Sequence, residues 1–344
     1  MALPYTRAAA AISNAVTAPL TSYDATGMVE DISDVIRLLS PAETPCYSMF
    51  RKRPADSVVV SWQEDELRAP IVNAAVEGGA ITADSQSAVG ILQNVTQLFD
   101  GTAEVSSSSR AAKFHGTGDQ LEYQEMKRGK EIKRDIEMAM VGFNQAIVNG
   151  NTSTARKMAS LSKQITTGAS GQVFGAGASL ALNRNGTGAR ALTETLVLTA
   201  HQVAYTNGAD PNWLLVSPTD SLKVANFAYV DPTAGVASRT REANEGTLYN
   251  KVETYISPFG TLSVVTDRFI SGANAIIEDG SAAANGDGFA FLINTDQCFV
   301  AELQPMQSQV LAKTTHADRK LIFTELTLGV EIKRSCAVIG DLNI

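Results

Sequence analysis

The chain has 344 residues, of which 44% are hydrophobic and 19% charged, and its formal net charge is −8. That length exceeds what a single hydrophobic core usually supports, and the apolar share excludes a disordered polymer. The acidic balance argues against a dedicated nucleic-acid binder, which needs a basic patch to displace counterions, and no apolar run approaches the ~20 residues of a membrane helix.

Residues 1–30 are mostly Ala, Thr and Ser and read as an extended arm that buries little on its own. Arg7 and the Ala-rich stretch after it lack the Leu, Ile or Phe run of a secretion signal. Ile32, Val35, Ile36 and Leu39 then follow the i, i+3, i+4, i+7 spacing of a short amphipathic helix, which Ser40-Pro41 stops. The stretch "SVVVSWQEDELRAPIVNAAVEGGA", residues 57–80, begins as a β-branched strand over Ser57–Gln63 and runs out into Ala, Asn, Glu and Gly. A second β-like stretch spans Asn94–Ser109. About thirty residues of weak periodicity separate the two, whereas hairpin loops inside compact domains run two to five. The spacing predicts a projecting loop whose packing partner lies elsewhere.

The segment 117–150 carries the strongest helical signal. Thr117 with Gln120 fits a capping box, Leu121, Ile132, Ile136, Met140, Phe143 and Ile147 mark one face, and Asn149-Gly150 supplies a stop. About thirty residues would make a rod of about 45 Å. Residues 151–192 read as a Gly/Ser/Thr-rich surface loop. A helix over Leu192–Tyr205, a buried strand in "NWLLVSP", a helix opened by Pro218-Thr219 and a buried strand in "FGTLSVVTDRFI" follow. From Gly288 onward nearly everything reads as strand, with "KLIFTELTLGVEIK" alternating as a long ribbon. This mixture defines an α+β chain with a central sheet.

No constellation for catalysis or cofactor binding emerges. His115, His201 and His316 lie far apart and outside any metal-ligand spacing. "FGAGAS" lacks the Lys-Ser/Thr of a phosphate loop, Glu278–Gly288 lacks the alternating ligands of a calcium loop, and no Ser sits in a nucleophile elbow. Cys46, Cys298 and Cys336 fit buried thiols in a reducing compartment. Glu64, Asp65 and Glu66, at a strand end, read as a solvated cluster or ion-pair donors rather than an acid/base pair.

The order of these segments resembles the Hong Kong 97 type of tailed-bacteriophage major capsid protein, in a subgroup known as a domain of unknown function. "DISDVIRLLSPAETPCYSMF" resembles the segment after the N-terminal arm, "SWQEDELRAPIVNAAVEGGA" the outward limb of the extended loop, and "GDQLEYQEMKRGKEIKRDIEMAMV" the spine helix, followed by "RKMASL". "GADPNWLLVSPTDSLKVANF" and "YISPFGTLSVVTDRFI" resemble the axial domain, and "VLAKTTHADRKLIFTELTLGVEIKRSCAVIGDL" the final peripheral strands. The likeness covers nearly the whole chain. It implies an arm at 1–46, an extended loop with its flanks at 47–110, a peripheral domain from 111–155 with 296–344, and an axial domain at 156–295.

The resemblance also implies a structural protein without cofactor or metal. Its subunits would form pentamers and hexamers that close an icosahedral shell around double-stranded DNA, with no sequence-specific binding and no membrane. The chain departs from some relatives in lacking a long N-terminal extension that acts as a built-in scaffold, which implies a separate scaffolding protein or a processed chain. A portal and a decoration protein are further implied partners, and the setting is the virion, with assembly in the host cytoplasm. On this reading Ala74, Glu77 and Gly78 sit on the extended loop against a neighbouring subunit. Glu64, Asp65 and Glu66 would meet a neighbour's basic residues, with Arg51, Arg53, Arg128, Lys130 and Arg134 as candidates. An encapsulin-like nanocompartment shell and a tail structural protein are the alternatives.

Overall fold

The computed structural model describes residues 43–344 apart from 69, 75, 80–85, 87, 115–117, 143–144, 167–171, 174–189, 228–242, 245–246, 249–251, 271–287, 314 and 344. The expected arm, the helix over Ile32–Leu39, most of the Gly-rich stretch, the turn at 278–287, His115 and the Thr117 cap lie outside the described residues.

In chain order the elements are α1 (Pro45–Met49), β1 (Arg51–Pro54), β2 (Val59–Glu64), β3 (Gly90–Val95), β4 (Gln97–Ser106), α2 (Ser107–Ala111) and α3 (Gln120–Glu137), which runs into a π turn, Met138–Gly142. Then follow α4 (Leu161–Thr166), β5 (Gln172–Val173), α5 (Glu194–Thr206), β6 (Trp213–Val216), α6 (Pro218–Asn226), β7 (Ala243–Asn244), β8 (Thr247–Leu248), β9 (Thr254–Ser257) and β10 (Gly260–Thr266). The chain ends with β11 (Gly288–Ile293), β12 (Cys298–Val310), β13 (Ala317–Val330) and β14 (Ala337–Leu342).

A four-stranded sheet has the order β1-β12-β13-β4, and a six-stranded sheet the order β5-β14-β11-β6-β10-β9. The expected long ribbon is β12 against β13, antiparallel, with Cys298 opposite Val330 and Val310 opposite Lys320. The six-stranded sheet is covered on both faces. Leu214, Val216, Leu262, Leu292 and Ile339 face Val197 and Ala200 of α5 and Val224 of α6. The alternate residues Trp213, Leu215, Phe289, Phe291, Ile293 and Val338 join Met158, Leu161 and Ile165 in the main core. Two covered faces explain why β6 and β11 are apolar at nearly every position. In β10 only Leu262 is fully buried, so the strand expected to be buried is half-exposed.

The last strand departs from the expected grouping. β14 pairs with β11 and β5 in the six-stranded sheet, whereas the resemblance implied that all of 296–344 belongs to a peripheral domain with the spine helix. The second β-like stretch, expected over Asn94–Ser109, takes in only the end of β3 and all of β4, and its last residues open α2. β3 pairs with β2, and β4 leaves to pair with β13 along its whole length. Thr96 is the joint between them: its N–H donates to the Val58 carbonyl at 2.8 Å and its hydroxyl to Glu325 Oε1 at 2.5 Å.

Helix α3 is shorter than the periodicity predicts. Its 18 residues span about 27 Å. Asp119 caps it by accepting from the Leu121 N–H at 2.9 Å. The apolar pattern continues through Met140 because the π turn is also buried, not because the helix goes on. Asn149-Gly150 marks a turn instead of a helix end, closed by an antiparallel bridge between Val148 and Lys157.

Helix α6 shows how local chemistry fixes an element boundary. Ser217 Oγ accepts from the Asp220 N–H at 3.1 Å and donates to Asp220 Oδ2 at 2.9 Å, while Lys223 Nζ lies 2.8 Å from Oδ1. Asp220 is fully buried, so losing the cap strands a buried group. Ser217→Ala is expected to lower stability by about 1–2 kcal/mol, read as an earlier urea midpoint with an unchanged slope.

Candidate functional site: a projecting hairpin

Strands β2 and β3 form the hairpin expected from the sequence, with Val59 opposite Val95 and Glu64 opposite Gly90. Its root is anchored on its own subunit. The Trp62 ring meets Phe299 edge-on, with centroids 5.4 Å apart, and its indole N–H donates to the Val330 carbonyl at 2.9 Å. Val60 packs with Phe299 and Ala301 of β12. On the other strand, the buried Asn94 amide donates to the Leu328 carbonyl at 2.7 Å and accepts from the Ala159 N–H at 2.8 Å.

Beyond Glu64 the chain leaves the core. Leu67 is 99% exposed, Val72 93% and Val76 83%, with Ile71 and Ile91 also largely in solvent. Ala74, Glu77 and Gly78 are exposed on the same limb. The Gly79 N–H donates to the Val76 carbonyl at 2.9 Å and closes a turn in which Gly78 takes φ +74°, a conformation that disfavours a side chain. Leu67, Ile71, Val72 and Val76 thus stand exposed along one short limb, the kind of apolar surface that suits a contact with another molecule.

Among the charged candidates, Glu64 and Glu66 have partners within the chain. Glu64 Oε1 accepts from the Lys333 N–H at 3.0 Å, and Glu66 Oε1 lies 2.8 Å from Arg334 Nε. Asp65 Oδ1 accepts from the Glu66 N–H at 2.9 Å. Two of the three acids are thus held by the short helical turn Lys333–Ser335 of their own chain. The cause is position: the strand end carries them over that turn. Reversing Glu64 and Glu66 to Lys acts first on the loop's root.

The basic candidates are also engaged at home. Arg51 pairs with Glu331, and Arg128 Nη1 lies 2.6 Å from Glu131 Oε2 on the same helix. The Arg53 guanidinium sits 3.5 Å from the centre of the Phe299 ring, and that of Arg134 lies 5.7 Å from the Phe269 ring centre. Lys130 is exposed on α3. Within one chain these residues are not gathered in one place; the expected pairing is one between copies. What sequence reasoning underweighted is the apolar tip, whose signal was available in Leu67, Ile71, Val72 and Val76.

The other candidate chemistries are structural. His201 is buried in α5, with Nδ1 2.8 Å from Ser257 Oγ and its ring against Phe259. The His316 carbonyl accepts from the Ser107 N–H. Cys46, Cys298 and Cys336 are buried free thiols, and the sulfurs of Cys298 and Cys336 are 3.9 Å apart. Among the described residues one group places metal-type ligand atoms together: those of Cys46, Glu137 and Asp267 lie within 4.8 Å of one another. No helix among the described residues is long and apolar enough to cross a membrane.

A helix-backed four-stranded sheet, a projecting hairpin and a six-stranded α+β layer make this a Hong Kong 97-type capsid fold. Solved structures agree at the level of fold. The chain is similar to a Mycobacterium phage Bobi structure (TM-score 0.60, 11% identity, 95% of this chain and 100% of that one) and to the capsid structure of Cyanophage P-SCSP1u (TM-score 0.55, 12% identity, 94% and 96%). It is also similar to the SrpI encapsulin of Synechococcus elongatus (TM-score 0.50, 10% identity, 90% and 93%). The chain belongs to the SU10 major capsid protein family, whose model matches residues 12–343. A major capsid protein of Escherichia phage Phieco32 is 36% identical over 121 residues, which are 35% of this chain and 34% of that protein. The family is one of structural capsid proteins of phage virions.

Proposed function

We propose that this chain is the tile of an icosahedral phage head shell, forming pentamers and hexamers around packaged double-stranded DNA. The observation that supports this best is the exposed apolar tip of the hairpin. In a monomer it places Leu67, Val72 and Val76 in water, and an adjoining copy would cover them. On this reading the four-stranded sheet with α3 is the peripheral domain, the six-stranded sheet is the axial one, and the limb with Ala74, Glu77 and Gly78 lies across a neighbour. Asp65 and Lys130, both exposed, are the first charged candidates for inter-subunit pairing, and Glu64, Glu66, Arg51, Arg53, Arg128 and Arg134 would join them by exchanging contacts within their own chain for those of a neighbour.

The net charge of −8 fits a wall that does not hold DNA against packaging. A portal, a separate scaffolding protein and a decoration protein complete the partner set, with assembly in the host cytoplasm. Membership of a phage major capsid protein family favours a virion over a nanocompartment.

Electron microscopy of the purified chain tests the proposal. Closed shells or five- and six-fold capsomers are the expected result. Tubes would make it a tail protein, and a dispersed monomer at high concentration would overturn the shell reading.

A further inference from the structure

Glu137 closes α3 and Asp267 follows β10, and both side chains are fully buried. Glu137 spans the start of α1: its Oε1 accepts from the Cys46 N–H at 2.7 Å and its Oε2 from the Tyr47 N–H at 2.8 Å. Asp267 Oδ1 accepts from the Phe269 N–H at 2.9 Å. Its other oxygen, Oδ2, is buried with no hydrogen-bond partner among the described residues, although the ligand-type atoms of Asp267, Glu137 and Cys46 lie within 4.8 Å of one another. Two carboxylates at that separation, away from water, cannot both be ionised without a large penalty.

The surrounding charges do not relieve this. The Arg134 guanidinium on α3 faces the Phe269 ring, and that of Arg268 pairs with Glu43 at 3.4 Å. Asp135, next to Arg134 on α3, is exposed, and the desolvation it does meet there raises its carboxyl. Cys46 faces the pair as a thiol, raised by burial and then by Glu137 and Asp267.

We propose that Glu137 and Asp267 share one proton, forming a buried acid latch that ties the root of the N-terminal segment, at α1, to α3 and to the end of β10. The proton fills the place of the missing donor at Asp267 Oδ2 and lets Glu137 keep both backbone N–H groups. Burial, followed by the neighbouring Asp267, pushes Glu137 up to about 8, and burial pushes Asp267 up to about 6. An acid raised in this way binds its proton more tightly folded than unfolded. Its stabilisation is therefore full below the ordinary carboxyl values of 4.5 and 3.8 and is lost as pH rises through about 6 and then about 8. Alkali opens the latch and acid closes it.

The test is infrared difference spectroscopy of the purified full chain, with hydrogen exchange read at Cys46 and Tyr47. At pH 6 a protonated-carboxyl C=O band is expected. It should titrate away with a midpoint near pH 8, be missing in Glu137→Gln, and shift to lower pH in Asp267→Asn, which keeps the burial of Glu137 but removes the neighbouring charge. The protection factors of the two amides should fall by about tenfold per unit of pH across that range, and stay flat in Asp267→Asn. Should Glu137→Gln fail to fold, the wild-type spectrum and Asp267→Asn still decide. Absence of the band at pH 6 would overturn the latch. So would one equivalent of a divalent metal in the purified protein, with protection lost to a chelator and not to alkali.

Discussion

Aspartate placed together at Leu67, Val72 and Val76 is expected to leave a chain that folds but no longer closes into shells. All three side chains project into solvent, so their replacement removes no contact from the subunit's own core. On a neighbour each would bury apolar surface worth about 1.5–3 kcal/mol, against at most about 1 kcal/mol for an exposed ion pair. The apolar tip therefore outweighs the acidic cluster that first draws the eye in this loop. Aspartate both deletes the favourable burial and forces a charge into the seat, at several kcal/mol more. Sedimentation and microscopy should show subunits or capsomers in place of shells, with a circular-dichroism spectrum and urea midpoint matching the parent. Normal particles from the triple variant would remove the hairpin from the assembly interface.

This contrast shows what the sequence discloses and what it hides. The strand-to-loop transition at residues 57–80 was legible because β-branched residues give way to small ones within one short stretch, and the excessive loop length pointed outward. Helices α5 and α6 were legible, the second from Pro218 in its first turn; their caps, Thr193 and Ser217, are equally local chemistry that the sequence reading passed over. The fates of Glu64, Glu66, Arg51 and Arg128 were not. Each partner except Glu131 is remote in sequence, and nothing in a charge run says that Lys333 and Arg334 will lie beneath a strand end. Which sheet β14 joins was hidden for a related reason: apolar residues in strand spacing specify a strand, not its partner. Helix α3 was over-extended because a buried π turn preserves the apolar spacing after the α-helical hydrogen bonds have ended.

Gly329→Ala is expected to be among the most damaging single substitutions in the four-stranded sheet. Gly329 on β13 stands directly opposite Phe299 on β12, and a methyl group there would sit 2.1 Å from Cζ of the Phe299 ring. The ring cannot swing clear. It is fully buried, with the Trp62 ring against one edge and the Arg53 guanidinium 3.5 Å from its centre. Overpacking usually costs about 1–3 kcal/mol, occasionally more, and an overlap with an aromatic locked on two sides belongs at the upper end.

The damage should travel outward, because Trp62 is the root of the hairpin. Displacing Phe299 would move the indole off the Val330 carbonyl and loosen the strand that carries the tip. A double-mutant cycle separates this steric cause from a general loss of strand quality. Phe299→Leu in the Gly329→Ala background should recover about 1–3 kcal/mol relative to additivity, read from urea midpoints, and restore the protection of the Trp62 indole N–H from exchange. A Gly329→Ala variant within about 0.5 kcal/mol of the parent would mean that the ring has room to move, and that the hairpin's root is held by the Trp62–Val330 hydrogen bond and the β2–β3 pairing alone.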